Sequence, residues 1–110
     1  DEKMENKIEY KIIDDKIVVY FYGELSCSYI TKYRSLLNSI LDKVNGPVYF
    51  DFGNTSFIDS SGIGLVLGRY NQLKLDDRKL YLANLSKTAY KVFELSGMFE
   101  LMEYVEEVKG

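Results

Sequence analysis

The chain contains no histidine and no tryptophan, and its 110 residues include one cysteine, Cys27, and one proline. One cysteine cannot form an internal disulfide framework, and the absence of histidine excludes a Cys/His zinc site. It also excludes every Ser-His or Cys-His nucleophile pair. We therefore predict no metal, no cofactor and no enzymatic activity, and we expect Cys27 to be a buried or half-buried thiol in a reducing compartment.

Long apolar stretches and runs of basic residues are also absent. No segment approaches the roughly 20 uninterrupted apolar residues that span a bilayer, and the N-terminus has no apolar signal region. With 14 basic and 17 acidic residues the net charge is −3, and no basic patch is present for nucleic acid or an anionic membrane. We expect a cytoplasmic protein that binds another protein or a small ligand, with no direct nucleic-acid or membrane partner.

Hydrophobic periodicity predicts that strands and helices alternate along the chain. The predicted elements are strands 8–12 and 17–22, helix 27–44, strand 48–52, helix 63–73, strand 79–83, helix 86–96 and strand 101–105. This order predicts an α/β fold with a mainly parallel sheet. The length and the 46% hydrophobic content predict one compact domain that covers residues 1–110.

The run Asp59-Ser60-Ser61-Gly62-Ile63-Gly64, here called the serine motif, lies between strand 48–52 and helix 63–73. Backbone N–H groups at a helix N-terminus lack intrahelical partners, and the helix dipole favours negative charge there. Sites in α/β sheets lie at the carboxyl ends of strands, beside such helix N-termini. The serine motif is therefore a place that can hold a phosphate.

The two adjacent serines cannot both cap the helix. If Ser61 is the cap, its oxygen reaches the N–H of Ile63 or Gly64, and Ser60 lies just outside the helix with a free hydroxyl. A kinase can reach such a hydroxyl, and phosphate would add about −1.5 to −2 charges. The added charge would weaken the binding of a protein docked at this place and would leave the fold almost unchanged.

Glycine is frequent in the helix that follows, although each glycine there costs about 1 kcal/mol relative to alanine. We predict an inner apolar stripe at Ile63, Val66, Leu67, Tyr70 and Leu73. We predict an outer face at Gly64, Leu65, Gly68, Arg69 and Gln72. Two interpretations of the glycines remain open, since either a second protein or a neighbouring loop of the same domain can use the close approach that they permit.

The sequence lacks the motifs by which other nucleotide-binding sites and acyl-transfer sites are recognised. Neither a P-loop nor a Gly-x-Gly-x-x-Gly turn is present, and a nucleophile elbow would need the missing histidine. Asp51 and Asp59 stand apart from any acidic cluster of the kind that a phospho-acceptor aspartate needs.

The serine motif and its continuation Leu65-Val66-Leu67-Gly68-Arg69-Tyr70 closely resemble the bacterial anti-sigma factor antagonists, members of the STAS domain family. The likeness continues in Gly23-Glu24-Leu25 and in Val92-Phe93-Glu94-Leu95-Ser96-Gly97-Met98-Phe99, and it covers nearly the whole chain. The central motif with its helix is specific, whereas the other two segments would be weak alone.

The resemblance implies a four- or five-stranded sheet with three to four helices, in a cytoplasmic protein that works by partner switching in sporulation or a stress response. In that family the unphosphorylated antagonist binds an anti-sigma factor that is also a serine kinase, which releases the sigma factor. Phosphorylation of the serine after the aspartate, here Ser60, abolishes binding, and a separate serine phosphatase reverses it. The implied partner contacts are Glu24, Ser26, Asp59, Ser61, Gly62, Ile63, Leu65, Gly68, Arg69 and Gln72.

Two departures from the family and one rival function remain. Many antagonists have an aspartate where this chain has Ser26, which removes a carboxylate from kinase recognition. Relatives often continue into a further helix, so we expect that helix to be very short here or cut off. The alternative function is a STAS module that is never phosphorylated and serves as a subunit of a transporter or a signalling assembly.

Overall fold

The computed structural model of the protein describes residues 5–108, in which strands and helices alternate. The elements are β1 (Lys7–Ile13), β2 (Lys16–Leu25), α1 (Ile30–Leu41), β3 (Val48–Asp51), β4 (Thr55–Ile58), α2 (Ser60–Leu75), β5 (Leu80–Ala83), α3 (Lys87–Leu95), a 3₁₀ turn (Met98–Glu100) and β6 (Glu103–Val105). None of the helices within residues 5–108 has the length and apolar character that crossing a bilayer requires.

The six strands of the described residues form one mixed sheet. β1 runs antiparallel to β2, and β2, β3, β5 and β6 then lie side by side in parallel. β4 pairs in parallel with the end of β2. The predicted α/β fold with a mainly parallel, mixed sheet is confirmed, but the sheet has six strands instead of four or five.

The strand that the sequence pattern missed is β4, which pairs with residues 23–25 of β2. Thr55 and Ile58 are buried at its two ends, whereas Ser56 and Phe57 between them are exposed. The strand therefore lacks the alternation of buried and exposed residues by which strands are recognised.

β2 changes its pairing partner at Gly23. Residues 17–20 pair with β3, the later residues pair with β4, and the register shifts between Gly23 and Glu24. Gly23 has a φ of +80°, and a side chain there would collide with Asn6. Glycine is required in this conformation, and the strand continues through it to Leu25 instead of ending there as predicted.

The core lies between one face of the sheet and the helices. Phe21 of β2 stacks on Phe52 with ring centroids 5.0 Å apart, and Phe52 contacts Phe93 of α3 at 4.9 Å. Leu37 of α1 and Val66 of α2 are buried in the same cluster. Burial of each such side chain stabilises the fold by about 1.5–3 kcal/mol, so this face of the sheet fixes the positions of the helices.

The helix ends follow local capping. Ser86 precedes α3 and its Oγ accepts a hydrogen bond from Ala89 N at 3.1 Å, while Gly97 follows the helix with a φ of +77°, both as predicted. α1 is shorter than predicted because residues 26–29 form a turn closed by a hydrogen bond from Tyr29 N to Ser26 O.

Arg78 joins the turn after α2 to the end of α1. Its Nε donates to Gly46 O at 2.9 Å and its Nη1 donates to Leu41 O at 2.8 Å. Leu41 is the last residue of α1, where carbonyl oxygens lack intrahelical partners and the dipole favours positive charge. Arg78, which the sequence pattern places only in a turn, therefore holds together the turn after α2, the end of α1 and the segment at Gly46.

Arg78→Met keeps the aliphatic stem and removes both hydrogen bonds. Hydrogen bonds from a charged group contribute about 1.5–3 kcal/mol, so we expect the free energy of unfolding to fall by about 2 kcal/mol. Urea denaturation followed by circular dichroism measures the change. Lys79→Met, at the exposed neighbouring residue, is the matched control, and equal midpoints for the two variants would contradict the assigned role.

Candidate functional site

Ser60 is the first residue of α2, and Asp59 is the N-cap of that helix. Asp59 Oδ1 accepts hydrogen bonds from Ser61 N at 2.9 Å and from Gly62 N at 3.1 Å. The carboxylate satisfies two free N–H groups and carries the charge that the helix dipole favours. The expectation that one of the two serines caps the helix is therefore wrong, and Ser60 lies within the first turn instead of outside it.

The Ser60 side chain is exposed, whereas Ser61 is half-buried. Within residues 5–108 the Ser60 hydroxyl has no hydrogen-bond partner. Of the two adjacent hydroxyls, that of Ser60 is therefore the one presented to solvent. Asp59 takes over the capping role, so neither serine is needed for it.

The second carboxylate oxygen of Asp59 holds the loop that follows β2. Asp59 Oδ2 accepts a hydrogen bond from Cys27 N at 3.1 Å, and Asp59 N donates to Leu25 O at 3.2 Å. One residue thus holds this loop against the first turn of α2. Cys27 is exposed beside the contact, so the expectation of a buried or half-buried thiol is wrong.

The three glycines of α2 have different surroundings. Gly62 is buried, and a Cβ atom there would collide with Leu25 O. A Cβ atom at Gly64 or Gly68 would meet no described atom within 4 Å. Close packing within the domain therefore explains Gly62, whereas Gly64 and Gly68 leave a strip of the helix surface without side chains.

α2 buries a different face from the one predicted. Leu65 is 2% exposed and packs in the core with Val66 and Leu73. Because Gly62 lets the first turn approach β2, Leu65 and Arg69, one and two turns further along that face, lie on the inner side. The prediction that they belong to the outer face is wrong, and Leu65 is too buried to contact a partner. Three residues of the predicted inner stripe are only half-buried: Ile63, Leu67 and Tyr70.

The remaining predicted contact residues divide between surface and interior. Glu24 and Gln72 are exposed, and Ile63 is half-buried. Ser26 is only 9% exposed because it begins the tight turn that Tyr29 N closes. Little of Ser26 reaches the surface, and its role as a partner contact stays a prediction.

Phe57 is a surface residue that the sequence analysis missed. It is 46% exposed on β4, pairs with Glu24 of β2 and lies three residues before Ser60. The sequence analysis could not place Phe57, because β4 itself was not predicted. Once β4 is known, adjacent residues of a strand point to opposite faces, so Phe57 is exposed where Ile58 is buried. An exposed aromatic ring beside the serine motif offers a partner an apolar contact.

Asp51 lies at the carboxyl end of β3 and is only 9% exposed. Its Oδ1 accepts hydrogen bonds from Gly53 N at 2.9 Å and from Asn84 Nδ2 at 3.3 Å. Burial raises the pKa of this carboxyl, while the hydrogen bonds from Gly53 and Asn84 act in the opposite direction. These contacts give Asp51 a structural role at the ends of β3 and β5.

The serine motif contributes no residue to either of the two clefts described next. Two clefts in the described part of the chain, of about 270 and 240 Å³, lie around Arg78 and Tyr81, near the start of β5. Within residues 5–108 no group of three or more Asp, Glu, Cys or His residues could hold a metal ion. What the site offers is an exposed hydroxyl, a capping carboxylate and a bare helix strip.

The fold and the site define a small α/β domain that presents a serine at a helix N-terminus. The STAS domain family model matches residues 7–109, and the chain belongs to this family. The resemblance found in the serine motif is thereby confirmed.

Several relatives are anti-sigma factor antagonists. The anti-sigma-B factor antagonist of Staphylococcus epidermidis is 28% identical over 103 residues, which cover 94% of this chain and 95% of that protein. The anti-sigma factor antagonist SpoIIAA in its unphosphorylated form matches with a TM-score of 0.76 at 30% identity, over 92% of this chain and 90% of that one. The Bacillus cell fate determinant SpoIIAA in its phosphorylated form matches with a TM-score of 0.70 at 30% identity, over 92% and 93%.

The glycines of α2 predict opposite effects of alanine. In a helix alanine is favoured over glycine by about 1 kcal/mol, so Gly64→Ala and Gly68→Ala should each raise the free energy of unfolding by up to about that amount. Gly62→Ala should lower it, because the new methyl group forces α2 away from Leu25 O. Urea unfolding of the three variants measures the differences, and a stabilised Gly62→Ala would contradict the packing described.

The pKa of Asp51 should lie above its ordinary value of 3.8. The folded protein then binds the proton more tightly than the unfolded chain does, so the contribution of Asp51 to stability falls as the pH rises from about 3.8 through the folded-state pKa. Below 3.8 this penalty is absent. An NMR titration of the carboxyl carbon measures the pKa, and a value at or below 3.8 would contradict the effect of burial.

Proposed function

We propose that the protein is a non-catalytic anti-sigma factor antagonist that acts in the cytoplasm. Its unphosphorylated form binds an anti-sigma factor that is also a serine kinase, and this binding releases the sigma factor. Phosphorylation of Ser60 ends the binding, and a separate serine phosphatase restores it. The exposed and unpartnered hydroxyl of Ser60 in the first turn of α2 is the observation that carries this proposal.

Ser60 is a better substrate for a kinase than Ser61. Its side chain is exposed, whereas Ser61 is half-buried and its N–H is bound to Asp59. Because Asp59 caps α2, modification of Ser60 removes no hydrogen bond from the helix end. The modified serine can therefore differ from the free one in charge and volume while the fold stays the same.

The charge of the phosphate acts mainly on the partner. The helix dipole attracts the added charge of about −1.5 to −2, and the Asp59 carboxylate repels it. Both interactions are on the order of 1 kcal/mol at a solvated surface, so they largely offset each other. A docked protein that covers Ser60 must remove water from a doubly charged group, which costs several kcal/mol.

The surface around Ser60 suits a protein partner. Gly64 and Gly68 leave the α2 backbone open to close approach. Phe57 supplies an exposed apolar ring, and Gln72 supplies an exposed polar group further along α2. Apolar contact at the centre with polar groups at the rim is the usual composition of a specific protein interface.

Ser60→Asp should lose affinity for the anti-sigma factor, whereas Ser60→Ala should keep it. We expect at least a tenfold loss for the aspartate, since it places a carboxylate where the phosphate would lie. Calorimetry with the anti-sigma factor kinase encoded by the same genome measures the affinity. Ser39→Asp, at an exposed site on α1, adds the same charge elsewhere and is the matched control.

Incubation with this kinase and ATP, followed by mass spectrometry, should place the phosphate on Ser60. Phosphate confined to other residues would refute the assignment, and equal binding by Ser60→Asp and Ser60→Ala would refute the charge mechanism. Capture of membrane transport subunits without phosphorylation would favour the alternative STAS module.

A further inference from the structure

β1 is an edge strand whose outer side has no partner in the described part of the chain. It stands at one end of the strand order, and within residues 5–108 it pairs only with β2. It has seven residues, whereas β6 at the other end of the order has three. Tyr10 and Ile12 on β1 are 42% and 45% exposed. A long edge strand with exposed apolar side chains can pair with a strand of another chain.

The hairpin of β1 and β2 determines which main-chain groups of β1 face outward. It closes with a two-residue turn, and Ile13 and Lys16 pair beside that turn. Residues that flank such a turn exchange main-chain hydrogen bonds, and hydrogen-bonded pairs then alternate with non-hydrogen-bonded pairs along the ladder. The odd-numbered residues of β1 therefore bond to β2. The N–H and C=O groups of Ile8, Tyr10 and Ile12 point away from β2.

The sequence of β1 is complementary to itself about Tyr10. When two copies of Lys7–Ile13 run antiparallel with the two Tyr10 residues opposite each other, Ile8 of one copy faces Ile12 of the other, and Glu9 faces Lys11. Apolar pairs and pairs of opposite charge across two strands both stabilise a sheet. Every residue of β1 then has a partner, and the outward main-chain groups bond to each other.

Charge distinguishes this register from its neighbours. If the centre of the pairing moved by one residue to Glu9 or to Lys11, like charges would face each other, which is unfavourable. In the described residues Lys11 makes no ion pair, and Glu9 Oε2 is 3.9 Å from Lys7 Nζ. A lysine on an edge strand usually opposes pairing with another chain, but in the register centred on Tyr10 it meets a carboxylate.

We propose that two copies of the protein form a symmetric dimer in which their β1 strands pair antiparallel about Tyr10. The two sheets then become one continuous sheet, and the same surface of each copy is used, so the assembly ends at two copies. The contact is one strand long, about 24 Å. Interfaces of this small size belong to weak, reversible complexes, and we expect a dissociation constant on the order of 100 µM.

The dimer contact is separate from the serine motif, so this inference does not rest on the function proposed above. β4, which leads into Ser60, pairs with residues 23–25 at the far end of β2. The two-fold axis reverses the strand direction of the second copy, so the two Ser60 residues lie toward opposite ends of the joined sheet. The dimer contact contains no residue of either serine motif.

Reversing the two facing charges tests the register. Glu9→Lys and Lys11→Glu should each weaken the dimer at least tenfold, because each places like charges opposite each other twice in the symmetric contact. The double variant Glu9→Lys/Lys11→Glu restores opposite charges and should dimerise within about threefold of the wild type. Lys32→Glu makes the same charge change at an exposed site on α1 and is the matched control, for which we expect no effect. Sedimentation equilibrium of the full chain up to about 1 mM measures the dissociation constants.

Tyr10→Pro tests the main-chain pairing. Proline removes the outward N–H of an edge strand and leaves the bonds to the inner strand in place, so this variant should be monomeric and should still unfold cooperatively. Amide exchange of the wild type, followed by NMR, should slow at Ile8, Tyr10 and Ile12 as the protein concentration rises. Exchange at Glu9 and Lys11 should not change, because these amides already bond to β2.

A wild type that is monomeric at about 1 mM would overturn the inference. A dimer that neither single charge reversal weakens, or that the folded double variant does not restore, would also overturn it. If the double variant fails to fold, the exchange measurement decides, and protection that does not rise at Tyr10 with concentration would refute the pairing. Assembly beyond two copies would refute it as well, since the proposed contact closes on itself.

Discussion

The carboxylate of Asp59 is the contact on which the site depends. It accepts hydrogen bonds from two N–H groups of the first turn of α2 and from Cys27 N in the loop after β2. Hydrogen bonds to an ionised acceptor are about twice as strong as neutral ones, and an N-cap contributes about 1 kcal/mol to stability. Because Asp59 supplies this contact, Ser60 is free to carry a modification.

The sheet brings Asp59 to that loop through a change of strand partner. At Gly23 β2 leaves β3 and pairs with β4, which carries Leu25 alongside the residues that precede α2. Gly62 then packs against Leu25 O, where no side chain fits. Gly23 and Gly62 thus determine where the serine is presented. Of the two, only Gly62 is among the predicted partner contacts.

Sequence patterns correctly predicted the features of the fold that neighbouring residues along the chain determine. The Ser86 cap, Gly97 after α3 and the order of the elements followed from capping preferences and hydrophobic periodicity. The burial of Leu65 did not follow, because apolar residues occur on more than one side of α2 and only the contact between Gly62 and β2 selects the inner face. β4 was missed for a similar reason, since its pairing depends on a bend in β2 and not on its own pattern.

The proposed switch uses charge at only one end of α2. The corner at Asp59 is negative, and phosphate on Ser60 would make it more so. In the proposed complex a partner that covers Ser60 must remove water from both charges. Phosphorylation therefore ends the binding although the fold of the antagonist stays the same.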